Sequence, residues 1–273
     1  MRTVRVQIDD EVIEYEVADE SAFGAGEVLL ERDDDLLADT AFADQGFTVA
    51  PFLPPARHAA LVDGVRRLLF SVVTRVARSV SDDDFTLAGY HRVVADAEHM
   101  ALVEATGLHW PNEALPIPMA LIEQRVSEIL GVDVLAVNPN FDVHHFQVRV
   151  VRPGKPDNNP PHRDVWLDRL RNGVNVYVPL AGSNALSSLP LVPGSHRWRE
   201  DEIERTVGGA LVDGVRYTVP AVTGARRGVR MVRPRVRPNE MMVFTPYAIH
   251  GGGVNRNADL TRVSLEIRFW RKP

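Results

Sequence analysis

The chain has 273 residues, 31 Lys and Arg against 37 Asp and Glu, a formal net charge of -6 and no cysteine. That balance excludes the basic excess of a general nucleic-acid surface, and the missing thiols exclude disulfides, thiolate metal centres and cysteine nucleophiles, so a metal would have to use nitrogen and oxygen ligands. A globular-average composition without a linker or a long apolar run leads us to expect one domain, 1–273, in a cytoplasmic protein with no membrane partner, as a monomer or homodimer.

Taken in chain order, Val4–Ile8 and Glu11–Val17 alternate around the turn-forming pair Asp9-Asp10 and predict a β-hairpin, read as an appendage covering 1–18. Asp33-Asp34-Asp35 is expected to be a solvated turn or helix start, because three consecutive side chains diverge. From Pro54 to Arg78, Leu61, Val65, Leu68, Leu69, Val72, Val73 and Val76 recur at helical spacing and predict an amphipathic helix over a core. A second helix is predicted over Met119–Leu130, with Gly131 able to end it. The period then changes. Stretches 141–150, 173–180, 240–244 and 262–270 are strand-like and bounded by Pro, Gly and Asn. A helical buttress over 45–135 followed by a β-rich stretch over 136–270 implies a mainly β fold with flanking helices, a closed sandwich, interrupted by an arginine-rich insertion at about 198–239.

Three short motifs carry chemistry. In His162-Arg163-Asp164 the outer residues lie two apart, on one face of a strand, where they could share a metal. His250 follows the strand Met241–Phe244 and the turn Thr245-Pro246-Tyr247, and precedes three glycines that permit close backbone approach. Two imidazoles and one carboxylate form the facial set that leaves coordination positions open on Fe(II). Arg262, twelve residues after His250, shares a strand face with Ser264, Glu266 and Arg268, while Val263, Leu265, Ile267 and Phe269 take the other. An arginine fork with a nearby hydroxyl suits a carboxylate such as the distal one of 2-oxoglutarate. A salt bridge from Arg262 to a strand neighbour such as Glu266 is the structural alternative.

The ordered run Pro161-His162-Arg163-Asp164, Leu191-Val192-Pro193-Gly194-Ser195-His196, Ile249-His250-Gly251-Gly252 and Arg262-Val263-Ser264-Leu265-Glu266-Ile267-Arg268 resembles the phytanoyl-CoA dioxygenase family of Fe(II)/2-oxoglutarate oxygenases. The resemblance extends over roughly Gln45 to Phe269. It implies a double-stranded β-helix, a cupin-like jelly-roll core, with His162, Asp164 and His250 as iron ligands and Arg262 as the 2-oxoglutarate anchor, dioxygen being the third reactant. Related halogenases have a small residue where this chain keeps Asp164, so hydroxylation, desaturation or oxidative ring closure is expected over halogenation. The insertion and the hairpin are departures from the family pattern.

Further candidates follow from strand parity. Gln147 shares a face with His145 and Arg149, and Asn175 shares one with Tyr177; Gln147, Asn175 and Tyr177 are candidate contacts for 2-oxoglutarate, with ordinary packing as the alternative. Trp166 is placed to wall the site, and His196 is read as structural, because a fourth protein ligand would close a position the cosubstrate needs. Arg226, Arg227, Arg230, Arg233, Arg235 and Arg237 form the densest basic run, read first as a solvated hairpin and second as a site for an anionic partner. The expected substrate is a small polar metabolite, a natural-product sugar or aminocyclitol, because the metal loop 155–171 and the insertion are polar. A coenzyme A ester, a silent jelly-roll binding protein and a zinc hydrolase with the same ligands are the competing readings.

Overall fold

The computed structural model describes residues 1–31, 34–77, 80–157 and 159–273; Asp33 of the acidic stretch and Arg78, the expected end of the first long helix, lie outside the described residues. In chain order the elements are β1 (Arg2–Ile8), β2 (Glu11–Val17), β3 (Ser21–Phe23), β4 (Phe47–Pro51), α1 (Pro55–Val73), α2 (Tyr90–Val93), α3 (Asp96–Thr106), β5 (His109–Pro111), α4 (Met119–Leu130) and β6 (Val134–Leu135). There follow β7 (His145–Val151), β8 (Gly173–Ala181), β9 (Ile203–Thr206), β10 (Ala210–Val212), β11 (Val215–Tyr217), β12 (Val222–Ala225), β13 (Arg230–Met231), β14 (Glu240–Phe244) and β15 (Arg262–Arg271).

Two boundaries differ from the sequence expectation. α1 stops at Val73, where Val72, Val73, Thr74 and Val76 crowd β-branched side chains against the preceding turn and weaken the helix. β7 starts at His145 rather than at Phe141, because the Asn138 side-chain carbonyl accepts from the amides of Asn140 and Phe141 and holds 138–141 in a turn. α4 ends as expected, with Gly131 in the left-handed region at φ 71°.

A seven-stranded sheet in the order β4-β14-β8-β15-β7-β5, with β6 on β15, forms one wall of the jelly roll. Val263, Leu265, Ile267 and Phe269 of β15 pack outward into a core shared with Leu61 and Leu69 of α1 and Ile122 and Val126 of α4. The helices therefore buttress this wall. Strand alternation then turns Arg262, Ser264, Glu266 and Arg268 into the barrel, in rows with Arg149 and Gln147 of β7 and Tyr177 and Asn175 of β8.

The opposite wall is built from short pairings: His162 with His250, His250 with Leu191, and Leu191 with Val232. Through β13 it continues into β1, Gln7 opposite Arg230 and Ile8 opposite Met231, and on through β2 to β10 and β11. The hairpin that the sequence set apart is thus an extension of the second wall. Val4, Val6, Ile8 and Tyr15 enter a second core with Val192 and Ile249, on the outer side of the strands that carry the histidines. The insertion closes the same core: β12 pairs with β9, and the Val222 amide donates to the Pro161 carbonyl beside the metal motif.

Candidate metal centre and cosubstrate cavity

The two histidines are 88 positions apart, yet His162 and His250 exchange backbone hydrogen bonds, N to O at 2.9 and 3.0 Å, which sets their rings side by side. The glycines after His250 make this approach possible. A Cβ on Gly252 (φ 72°) would lie 2.4 Å from Pro161 Cδ, and one on Gly251 (φ 91°) 3.0 Å from the Pro160 carbonyl. The close approach is thus to the partner strand.

Each imidazole donates its Nδ1 proton to a backbone carbonyl, His162 to Pro160 at 2.8 Å and His250 to Ala248 at 3.0 Å. A carbonyl only accepts, so both rings turn a lone pair on Nε2 inward. There they meet Asp164 Oδ1, 3.1 Å from His162 Nε2 and 3.9 Å from His250 Nε2. Three buried acceptors facing one another repel unless a cation lies between them, and their ligand atoms all fall within 4.8 Å. The donor set therefore fits a divalent metal. Burial, with His162 adding to it, lowers the His250 pKa to about 4, which keeps the ring in the neutral form a metal needs. Burial pushes the Asp164 carboxyl upward, but the Arg268 guanidinium beside it outweighs burial and holds the group well below the usual carboxylate range. Its second oxygen accepts from Asn175 Nδ2 at 2.8 Å and from Arg268 Nη2 at 3.4 Å. Those bonds fix which oxygen faces the histidines.

A cavity runs inward from this centre; the metal triad, Arg149, Asp157, Asn175, Glu266 and Arg268 are among its walls. Behind Asp157 lies Arg262, 1% exposed, donating to Asp157 Oδ2 at 2.8 Å and to the Ser187 carbonyl at 3.1 Å. The salt bridge from Arg262 is thus to Asp157, whereas Glu266 pairs with Arg149 at 2.9 Å. Burial works against the charged Arg262 guanidinium, yet Asp157 raises its pKa above the ordinary arginine value. Three donors on the inward face of β15 are buried without a partner: Arg262 Nε and Ser264 Oγ toward the Asp157 end, and Arg268 Nε beside Asp164.

The strand candidates Gln147, Asn175 and Tyr177 stand on the inward face that parity gives them, each with a partner within the protein. Asn175 reaches the metal-binding carboxylate. The Tyr177 ring lies 5.9 Å from the Arg262 guanidinium, and its hydroxyl bonds Ser183. Gln147 donates instead to the Gly107 carbonyl. Trp166 faces away from the cavity, donating to Glu200 under Arg205. His196 bonds the Ala43 carbonyl and packs on Gly46, a structural position. The arginine run disperses: Arg233 is buried on the Ser188 and Val254 carbonyls, Arg226 stacks on Phe23 and Arg227 on Trp198. Arg149 and Arg268 were legible as inward-facing but had no assigned task, and nothing in the polar loop before Pro160 signalled Asp157.

Fold and site together define a class: a jelly-roll oxygenase with a mononuclear metal centre of two histidines and one carboxylate, the non-haem iron type. A family model, phytanoyl-CoA dioxygenase (PhyH), matches residues 42–264. The chain belongs to that family, whose members are iron- and 2-oxoglutarate-dependent oxygenases; its cofactors are iron and 2-oxoglutarate. Among solved structures, AviO1 from Streptomyces viridochromogenes Tue57 is similar over 90% of this chain and 99% of its own at 19% identity and a TM-score of 0.53, a likeness of fold. EctD from S. alaskensis, solved with 2-oxoglutarate and 5-hydroxyectoine, covers 94% of this chain and 86% of its own at 16% identity and a TM-score of 0.48. No curated protein matches the sequence.

Proposed function

We propose that this oxygenase oxidises a C–H bond of a small polar metabolite, a sugar or aminocyclitol intermediate of natural-product biosynthesis, and that it does so with His162, Asp164 and His250 as metal ligands and Arg262 with Ser264 as the cosubstrate anchor. The observation that carries the site assignment is the pair of orphaned buried donors, Arg262 Nε and Ser264 Oγ. A buried unpaired donor is costly, and a carboxylate is the group that satisfies both.

Charge supports the same reading. The three ion pairs found in the barrel interior among the described residues, Arg149–Glu266, Arg262–Asp157 and Arg268–Asp164, sum to zero. A divalent metal beside neutral histidines adds two positive charges and the buried Arg233 guanidinium, held on carbonyls near Arg262, adds another, so the interior favours a dianionic 2-oxo dicarboxylate. Iron, once bound with its cosubstrate, supplies the activation of dioxygen. The residues supply the aim: His162, Asp164 and His250 would hold the metal, and Asn175 and Arg268 keep one Asp164 oxygen turned toward the histidines.

A polar substrate is supported by the lining of the metal cavity itself, where Arg149, Asp157, Asn159, Asn175 and Arg268 stand with the Phe244 ring. Hydrogen-bonding edges beside aromatic faces suit a ring bearing hydroxyls or amines. The dispersed arginines remove the support for a coenzyme A ester. The test is succinate release by the Fe(II)-loaded protein against a panel of sugars, aminocyclitols and acyl thioesters. Acceleration by a member of the first two groups, lost in His162→Ala, is the expected result; acceleration confined to thioesters would overturn the substrate class, and an unaltered rate in His162→Ala the ligand assignment.

A further inference from the structure

Asp157 stands between the cavity and the proposed anchor. Asp157 lines the cavity, while Arg262, bonded to its carboxylate, and Ser264 are not among the cavity walls. It is only 7% exposed, and its backbone amide donates to the Gly253 carbonyl at 2.6 Å, so the loop between β7 and His162 presses it inward. Arg262 has Nη2 on Asp157 and Nη1 on Ser187, and its unsatisfied atom is Nε. A carboxylate that binds the guanidinium fork through Nε and Nη2 therefore needs the nitrogen that Asp157 already holds. Two carboxylates on one buried guanidinium repel, so each weakens the other's hold on it.

Resting on the reading of Arg262 as the cosubstrate anchor, we propose that Asp157 is an internal competitor of 2-oxoglutarate: the distal carboxylate binds by displacing Asp157 from Arg262, and the strength of that internal pair sets cosubstrate affinity and selectivity. The apparent affinity is the intrinsic one multiplied by the fraction of molecules in which Arg262 is released. A 2-oxo acid without a distal carboxylate, such as pyruvate, does not call on Arg262 and is indifferent to Asp157. The residue thus separates dicarboxylates from shorter 2-oxo acids by how firmly it yields.

The test is calorimetric titration of the Mn(II)-loaded protein with 2-oxoglutarate and with pyruvate, for wild type, Asp157→Asn, Asp157→Ala and Arg262→Gln. Asp157→Asn keeps size and a hydrogen-bond acceptor and is the variant to read if Asp157→Ala does not fold. Freeing Arg262 is expected to tighten 2-oxoglutarate about tenfold in the Asp157 variants, with pyruvate within about twofold of wild type. Unchanged or weaker 2-oxoglutarate binding in the folded Asp157 variants, with Arg262→Gln weakening it, overturns the competition and leaves the anchor standing. Equal tightening of both ligands also overturns it, because that is the signature of a general field and not of displacement. If Arg262→Gln leaves 2-oxoglutarate affinity unchanged, the anchor reading falls and the competition with it.

Discussion

A hydroxyl buried without a partner is a cost to the fold unless a ligand comes to meet it. Ser264 Oγ is fully buried and unpartnered on the inward face of β15, and removing it takes one hydrogen bond from the cosubstrate and none from the protein. Ser264→Ala is therefore expected to weaken 2-oxoglutarate binding by roughly five- to tenfold, about 1 kcal/mol, while leaving Tm unchanged or slightly raised. Calorimetric titration and thermal unfolding check the two halves; a lower Tm with unchanged affinity would show the hydroxyl to be structural. Asp164 shows the same economy at the metal, one oxygen facing the histidines and the other held by Asn175 and Arg268.

At the scale of the element, the metal loop is fastened from behind by a residue inside its own motif. Arg163 is wholly buried and pairs with Glu200; it also donates to the Ser195 and Trp198 carbonyls. Ser195 Oγ in turn accepts from the Ile249 amide, one residue before the second histidine. The 195–200 turn thus holds both ligand-bearing strands. Glu200→Ala strands a buried guanidinium and is expected to cost about 3–5 kcal/mol of stability, read as a fall in urea midpoint, whereas a matched apolar pair at 163 and 200 recovers most of it. A loss under about 1 kcal/mol would show that the Ser195 and Trp198 carbonyls and water satisfy Arg163 without the carboxylate.

For the whole molecule, the hairpin and the insertion form a second core behind the metal strands. Val4, Val6, Ile8, Ile13, Tyr15 and Val17 are all buried, and at about 1.5–3 kcal/mol each their loss removes on the order of 10 kcal/mol, as much as a domain's net stability. Deleting residues 1–18 is expected to abolish cooperative unfolding; a truncated protein with the wild-type Tm would return the hairpin to an accessory. The helical buttress brings a pH dependence. His99, bonded to the Tyr90 hydroxyl at 3.0 Å, has its pKa lowered to about 4, first by burial and then by Arg152. The unfolded chain binds this proton more readily, so the contribution is complete above pH 6.5 and is lost as pH falls toward 4, amounting to about 2 kcal/mol by pH 5. Urea midpoints across that window, compared with His99→Gln, measure it; parallel curves would refute it.

The residues that face the chemistry were legible because strand alternation is a local rule: given Arg262, the inward placement of Ser264, Glu266 and Arg268 follows. The two long helices and four main strands followed from periodicity, and the metal set from the order of its motifs. What parity could not tell was which inward residue meets which. Gln147 turns to Gly107 while Arg149, two residues on, meets Glu266, because long-range register decides partners. Nor could a hairpin's alternation reveal that β1 would pair in parallel with β13, more than two hundred residues away.

By itself, then, the chain's order of residues determined the class of chemistry and the faces that carry it, since both arise from ligand type and from spacing within a few residues. Only the tertiary structure decided that Asp157 sits on Arg262, that the arginine run disperses and that the amino-terminal hairpin backs the metal strands. These are contacts between segments remote in sequence, set by the closure of one barrel, and no local pattern encodes them.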